Sequence, residues 1–174
     1  MVAFYLNGGS VKEKKIYKTD KKICVCVQGI GFVGAAMMAV LSSIKNKKTG
    51  NYLYNVIGID QDTIEGNNRI KAINEGSFPF DVVDSSLNKA LSKARKNGRL
   101  MASSDISLYA KATIIIIDIN LDLKDFEGDI EKSSFLNSIR QIANHMNKNA
   151  FLLVETTVPP GTCEHIIIPE IRKT

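Results

Sequence analysis

Between residues 22 and 44 an apolar, β-branched run (KICVCV) enters a turn of three glycines and leaves as small and apolar residues at helical spacing. The order strand, glycine turn, helix constrains this chain more than any other feature, because it predicts one strand-and-helix unit of a parallel α/β sheet. The turn reads Gln28-Gly29-Ile30-Gly31-Phe32-Val33-Gly34, a G-x-G-x-x-G with both flanks that its mechanism needs. Gly29 permits the tight turn. Gly31 keeps a Cβ out of the path of a pyrophosphate, and Gly34 lets the helix lie close to the sheet. Ile30, Phe32 and Val33 complete the loop, and free N–H groups at a helix N-terminus suit an anion. The competing reading is a tight turn with no ligand.

The rest of the chain repeats the alternation. Residues 54–60 (YNVIGID) read as a strand. Residues 64–75 read as a helix that Gly66-Asn67-Asn68 delays to about Asn68 and that Gly76 and Pro79 end. Residues 84–97 read as a helix closed by Gly98, and residues 100–102 as a short strand. Residues 112–118 (ATIIIID) are apolar on both faces, as a central parallel strand is. A polar loop over 120–129, a helix over 134–146, a strand over 151–155, a Pro/Gly turn over 156–161 and a helix over 166–171 follow. The expected fold class is α/β, a Rossmann-like doubly wound parallel sheet with helices on both faces. Residues 1–20 read as a lysine-rich, partly ordered leader, and residues 21–174 as the folded domain.

Asp60 ends the second strand, where this fold places a carboxylate that accepts the adenine ribose hydroxyls and repels a 2′-phosphate. It therefore favours NAD over NADP. It lies 26 residues after Gly34, more than the usual ~20, and the loop over 45–51 accounts for the excess. A turn-forming Asp at a strand end is the bland alternative.

Composition excludes several classes. In 174 residues, 44% are hydrophobic and 24% charged, which argues against wholesale disorder. The longest apolar run, residues 114–117, is far short of a membrane span, and no signal-peptide h-region is expected near the start. The net charge of +5 is local to Lys12–Lys22 and Lys45–Lys48; with few aromatics interleaved, solvated basic segments are expected rather than a nucleic-acid surface. Cys24 and Cys26 alternate on one strand face as small hydrophobes, and with Cys163 and only two histidines they suggest neither a disulfide framework nor a metal site. A reducing cytoplasmic compartment follows.

One further segment carries chemistry. Glu155-Thr156-Thr157-Val158-Pro159-Pro160-Gly161 follows an apolar strand, so its hydroxyls emerge where open α/β sheets bind ligands. Taken alone, it is a Pro-stiffened turn. Taken with Gly29-Ile30-Gly31-Phe32-Val33-Gly34 and with Arg69-Ile70-Lys71-Ala72-Ile73-Asn74-Glu75-Gly76-Ser77-Phe78-Pro79, it resembles the N-terminal NAD-binding domain of the UDP-glucose/GDP-mannose dehydrogenase family. The three segments are similar to that family's G-x-G-[FY]-V-G, R-V-x-x-I-N-x-G-x-x-P and E-S-T-V-P-P-G, in the same order.

The resemblance implies that Asp60 and Arg69 hold the adenosine ribose, that Ser103 stands near the cofactor, and that Thr157 positions a catalytic water. It implies a nucleotide-sugar substrate, oxidised twice at C6 with two NAD through a thiohemiacetal on a cysteine, and a homodimer when full length. The family's N/S-P-E motif, catalytic lysine and nucleophilic cysteine are expected beyond Thr174, so this chain alone is expected to bind NAD without turnover; Cys163 stands where the family commonly has threonine. Asp118-Ile119-Asn120-Leu121 departs from the family's V-x-T-P. Two alternatives stay open: another dehydrogenase of the 6-phosphogluconate or 3-hydroxyacid type, which lacks the T-V-P-P-G turn, and a non-catalytic Rossmann module.

Overall fold

The alternating pattern folds into one six-stranded sheet. The computed structural model describes residues 2–4, 23–81, 84–119 and 134–173. Its elements are β1 (Val2–Phe4), β2 (Ile23–Gln28), α1 (Phe32–Ser43), β3 (Tyr54–Ile59), α2 (Ile64–Glu75), α3 (Ser85–Lys96), β4 (Leu100–Ser103), β5 (Ile114–Ile117), α4 (Ser134–His145), β6 (Phe151–Val154) and α5 (Ile168–Arg172). The sheet order is β1-β6-β5-β2-β3-β4. From β2 the chain steps outward to β3 and β4, then crosses back to β5 and β6. The direction of winding therefore reverses between β2 and β5, and the crevice of such a sheet opens there, beyond the carboxyl ends of the strands.

Strands β2 to β6 are parallel, as expected. The departure is β1, which runs antiparallel along β6 with Val2 opposite Val154 and Phe4 opposite Leu152. Three residues of the expected leader thus cover a sheet edge. Local spacing carries no trace of this, because the pairing partner lies about 150 positions away.

Two cores flank the sheet, and the strand period of two divides residues between them. Cys26, Ile57, Ile59, Ile115 and Ile117 pack on one face with Phe135, Leu136, Ile139 and Ile142 of α4. Val27 and Val56 pack on the other with Ala35, Met38 and Ala39 of α1 and Leu91 of α3. Each fully buried isoleucine contributes about 1.5–3 kcal/mol relative to exposure. Cys24 and Cys26 share the first core as expected. Small residues on α1 bring it close to the sheet: a Cβ on Gly58 would stand 2.7 Å from Met38 Sδ.

Two helix starts differ from expectation. α2 begins at Ile64, not near Asn68, because Thr63 caps it by accepting from Gly66 N–H (3.0 Å). Gly66 is tolerated in the first turn because the helix packs against the preceding chain there; its Cβ would meet Gln61 O at 2.0 Å. At the other end, helical backbone starts with a wide turn over Cys163–Ile167 and continues into α5, where Pro169 has no N–H to offer the preceding turn. A 3₁₀ segment over Ile106–Lys111, which the spacing does not announce, buries Leu108 and Tyr109. The expected polar loop over 120–129 lies outside the described residues.

The added length before Asp60 closes on itself. Asn46 N–H donates to Asn51 O (2.7 Å), and Asn46 Oδ1 accepts from Lys48 and Thr49 N–H. This hairpin precedes β3, so it sits at the amino edge of the sheet, away from the crevice. Beside it the Arg99 guanidinium stacks on the Tyr52 ring at 3.4 Å and donates to Ser42 O at 2.6 Å.

Candidate functional site

The glycine turn is held from below by backbone. Gly29 has φ +95°, and its N–H donates to Ile59 O (2.8 Å). A Cβ there would lie 2.1 Å from Asp118 O, and one on Gly34 would lie 2.0 Å from Gly29 O. Both positions therefore exclude any side chain on packing grounds. Gly31 is different: its φ is −68°, and a Cβ on it would meet nothing within 4 Å. No described atom of the chain requires glycine there. The space above it is an open cradle that a Cβ would enter.

Gly31 is also the N-cap of α1 and offers no side-chain cap. Among the described residues, the N–H groups of Phe32 and Val33 have no partner. Both side chains are more than half exposed, Phe32 resting against Phe78 and Phe80. Unpaired N–H groups at the start of a three-turn helix form an anion site. Pyrophosphate fits this cradle in charge, in donors and in clearance.

Asp60 stands one strand over. It is 7% exposed and accepts four bonds: Ile30 N–H (3.2 Å), Gln61 N–H (2.8 Å), Arg69 Nε (2.7 Å) and Arg69 Nη2 (3.3 Å). Arg69 reaches it from α2, and that bond raises the guanidinium pKa above its ordinary value. The two glycine-motif partners expected from sequence, Asp60 and Arg69, are thus brought together and tied to Ile30 of the turn.

The other expected residues are placed less directly. Ser103 ends β4 with its hydroxyl accepting from Asp105 N–H (3.0 Å), while Ser104 faces a cleft beside Asp60. Thr157 is exposed on the turn after β6, with no partner among the described residues. Its neighbour Thr156 is fixed: Oγ1 accepts from Ile119 N–H and donates to Ile119 O, both at 2.9 Å, tying the ends of β5 and β6 together.

Four residues here have no role in the sequence reading. Glu155 has a buried Oε2 with no hydrogen-bond partner. Near it, burial and then the Glu155 charge push the Asp118 carboxyl above its ordinary range, against the Gly34 N–H that favours ionisation. Gln28 is 5% exposed at the end of β2, and the Tyr109 hydroxyl donates to its Oε1. A polar residue closing an apolar strand was the available signal for Gln28; Tyr109, 81 positions away, left none. Among the described residues no three His, Cys, Asp or Glu side chains gather as metal ligands, and no helix is long and apolar enough to cross a membrane.

Comparison with known proteins agrees with this geometry. The sequence profile of the UDP-glucose/GDP-mannose dehydrogenase family, NAD binding domain, matches residues 22–174. The UDP-glucose 6-dehydrogenase of Rickettsia typhi is 24% identical over 139 residues, 79% of this chain and 30% of that protein. The GDP-mannose 6-dehydrogenase of Pseudomonas syringae pv. tomato is 27% identical over 149 residues, 83% of this chain and 31% of that protein. The crystal structure of NDP-N-acetyl-D-galactosaminuronic acid dehydrogenase from Methanosarcina mazei superposes with a TM-score of 0.74 at 20% identity, over 88% of this chain and 31% of that one. The chain spans about 30% of the length of the relatives it matches.

Proposed function

The chain belongs to the UDP-glucose/GDP-mannose dehydrogenase family, as its NAD-binding domain, and from that premise we propose that it serves a nucleotide-sugar 6-dehydrogenase. The observation that carries the reading is Gly31: a glycine with no internal reason to be one, beside two unpaired N–H groups and a buried carboxylate. Bound NAD supplies the hydride acceptor. The chain's own residues hold and orient it. Phe32 and Val33 N–H groups take the pyrophosphate at the α1 N-terminus, across Gly31. Ile30 N–H and Arg69 hold the Asp60 carboxylate aimed. The 3.3 Å Nη2 bond is the longest of its four and yields to a ribose hydroxyl. A 2′-phosphate would meet that carboxylate charge, so NAD is favoured over NADP.

Glu155 to Gly161 occupies the carboxyl edge on the other side of the β2/β5 crevice. Thr156 anchors this turn and leaves the exposed Thr157 hydroxyl to position a water. Ser103 stands near the cofactor, its hydroxyl capping the turn that follows β4. The substrate class is a nucleotide sugar, UDP-glucose, a UDP-N-acetylhexosamine or GDP-mannose, oxidised at C6. The Rickettsia typhi and Pseudomonas syringae relatives are a UDP-glucose and a GDP-mannose 6-dehydrogenase. A homodimer and a cytoplasmic location complete the reading; three free cysteines suit a reducing compartment.

Calorimetric titration of the 174-residue chain with NAD, then NADP, tests the reading. The expected result is NAD binding, weak NADP binding, and a loss of about tenfold or more in NAD affinity for Asp60→Ala. Equal binding of NADP, or an unaffected Asp60→Ala, overturns the ribose assignment. No binding of either dinucleotide overturns the reading.

A further inference from the structure

Three cations converge on one ring at the amino edge of the sheet. The Arg99 guanidinium lies 3.4 Å from the centre of the Tyr52 ring, Lys45 Nζ lies 4.8 Å from it, and Lys93 donates to the Tyr52 hydroxyl. Arg99 is only 4% exposed, and its Nε is buried with no hydrogen-bond partner among the described residues. Among those residues no carboxylate pairs with Arg99, Lys45 or Lys93. A desolvated charge without a counter-charge is costly. An anion held nearby offsets that cost.

Lys93 also lines an open groove of about 690 Å³ between the end of α2 and the outer face of α3. Backbone contacts build this groove. A Cβ on Gly76 would stand 2.9 Å from Ser92 Cα, so glycine lets the two helices meet, and Arg95 Nε donates to Asn74 O at 2.7 Å. Lys89, Lys93 and Lys96 share one face of α3 along about 10 Å of helix. Asn88 beside them accepts from Phe78 N–H with Oδ1 (2.8 Å), which leaves its amide NH2 as a donor. Helix ends offset part of the charge, since α1, α2 and α3 all finish here and each brings about half a negative charge. Glu75 is the one carboxylate in the lining, and Lys71 stands 4.0 Å from it. These negative charges amount to roughly half of those on Lys45, Lys89, Lys93, Lys96 and Arg99. The remainder is a positive field that the described residues leave unanswered.

We propose that this groove, with the Tyr52 cluster at its rim, is a second anion site that takes a short chain of phosphates. Ammonium groups meet phosphate as point charges. Three of them in a row suit a ligand that carries several charges in a row, and a single phosphate engages only part of the row. Lys93 sits in the middle, joined to Tyr52, while Lys89 and Lys96 flank it. Arg99 stays buried and acts through its field, without touching the ligand. The site is distinct from the phosphate cradle at the N-terminus of α1: Arg99 bonds Ser42 O near the other end of that helix, about 15 Å away along its axis. The inference does not depend on the NAD reading.

The test is calorimetry of the 174-residue chain with inorganic tripolyphosphate at low and at physiological salt, with thermal melting as the check of folding. Wild type is expected to bind, severalfold more weakly at the higher salt. Lys93→Gln/Lys96→Gln is expected to lose about tenfold or more in affinity. Lys111→Gln/Lys148→Gln removes the same net charge on the α4 side and is expected to stay within about threefold of wild type. Lys89→Gln, which leaves Tyr52 untouched, is expected to lose about fivefold and carries the test should the groove double variant melt early. Adenosine triphosphate separates two sources of such a chain. Affinity equal to that of tripolyphosphate assigns the site to the phosphates alone, and a gain of about tenfold assigns it to a nucleotide that carries them. Absence of tripolyphosphate binding at low salt overturns the proposal. So does an equal loss in the groove and α4-side double variants, which makes the effect one of net charge. Orthophosphate that binds as tightly as tripolyphosphate overturns the phosphate chain. Duplex DNA that binds through these lysines while tripolyphosphate does not makes the face a nucleic-acid surface and overturns the proposal as well.

Discussion

Glycines at the two edges of the sheet do different work. At the amino edge Gly50 and Gly98 have positive φ, +72° and +65°, and open space where a Cβ would go. They are glycines for the sake of a dihedral. At the carboxyl edge Gly29 combines a φ of +95° with a 2.1 Å approach of backbone, and Gly34 is excluded from bearing a side chain by contact alone. Gly31, between them, has neither constraint. At the amino edge the hairpin satisfies its own backbone, and Arg99 rests on Tyr52 and Ser42 with its Nε buried and unpartnered among the described residues. The carboxyl edge keeps groups that the fold leaves open, namely two α1 N–H groups and a Glu155 oxygen. Where a residue's type lacks an internal cause, an external partner is the physical explanation.

Substitutions can break this contrast. The largest effect is expected for Gly29→Ala, which forces a Cβ into Asp118 O at a left-handed φ. It should cost about 3 kcal/mol, read as a drop in denaturant midpoint; an unchanged midpoint would show that the turn relaxes freely. Gly31→Ala should leave that midpoint within about 0.5 kcal/mol and weaken NAD about tenfold in calorimetry, because only the ligand needs the space. Destabilisation without loss of affinity would remove Gly31 from the contrast. Gly50→Ala should cost about 1 kcal/mol for the dihedral alone, with NAD affinity unchanged.

The smallest effect concerns pH. Burial raises the Asp118 pKa in the folded state, so the folded chain holds this proton more tightly than the unfolded chain does. Its favourable contribution is full below the unfolded carboxyl pKa and is lost as pH rises through the folded value. Asp118→Asn is therefore expected to raise stability near neutral pH, with the gain fading toward about pH 4. A gain of equal size at every pH would assign the effect to packing.

Much of this was legible in order and spacing. The glycine turn lies between strand and helix as expected, Asp60 ends its strand, and Gly76 closes α2 with φ +80°. These features are local: a few neighbouring residues carry the dihedral or the apolar period that creates them. The same locality explains the misplaced start of α2. Glycine and two asparagines argued against the first turn of α2, but the Thr63 cap and the close packing at Gly66 outweighed propensity.

The motif segments alone therefore defined the kind of domain, the turn for the phosphates and the acidic residue for the ribose. Only tertiary structure could place Val2–Phe4 along β6, bring Arg69 to Asp60 with a geometry, or set Tyr109 against Gln28. Only it could separate a glycine required by backbone contact from one that the fold does not require. Distances between residues remote in the chain decide those points, and such distances arise when the sheet and its two cores assemble.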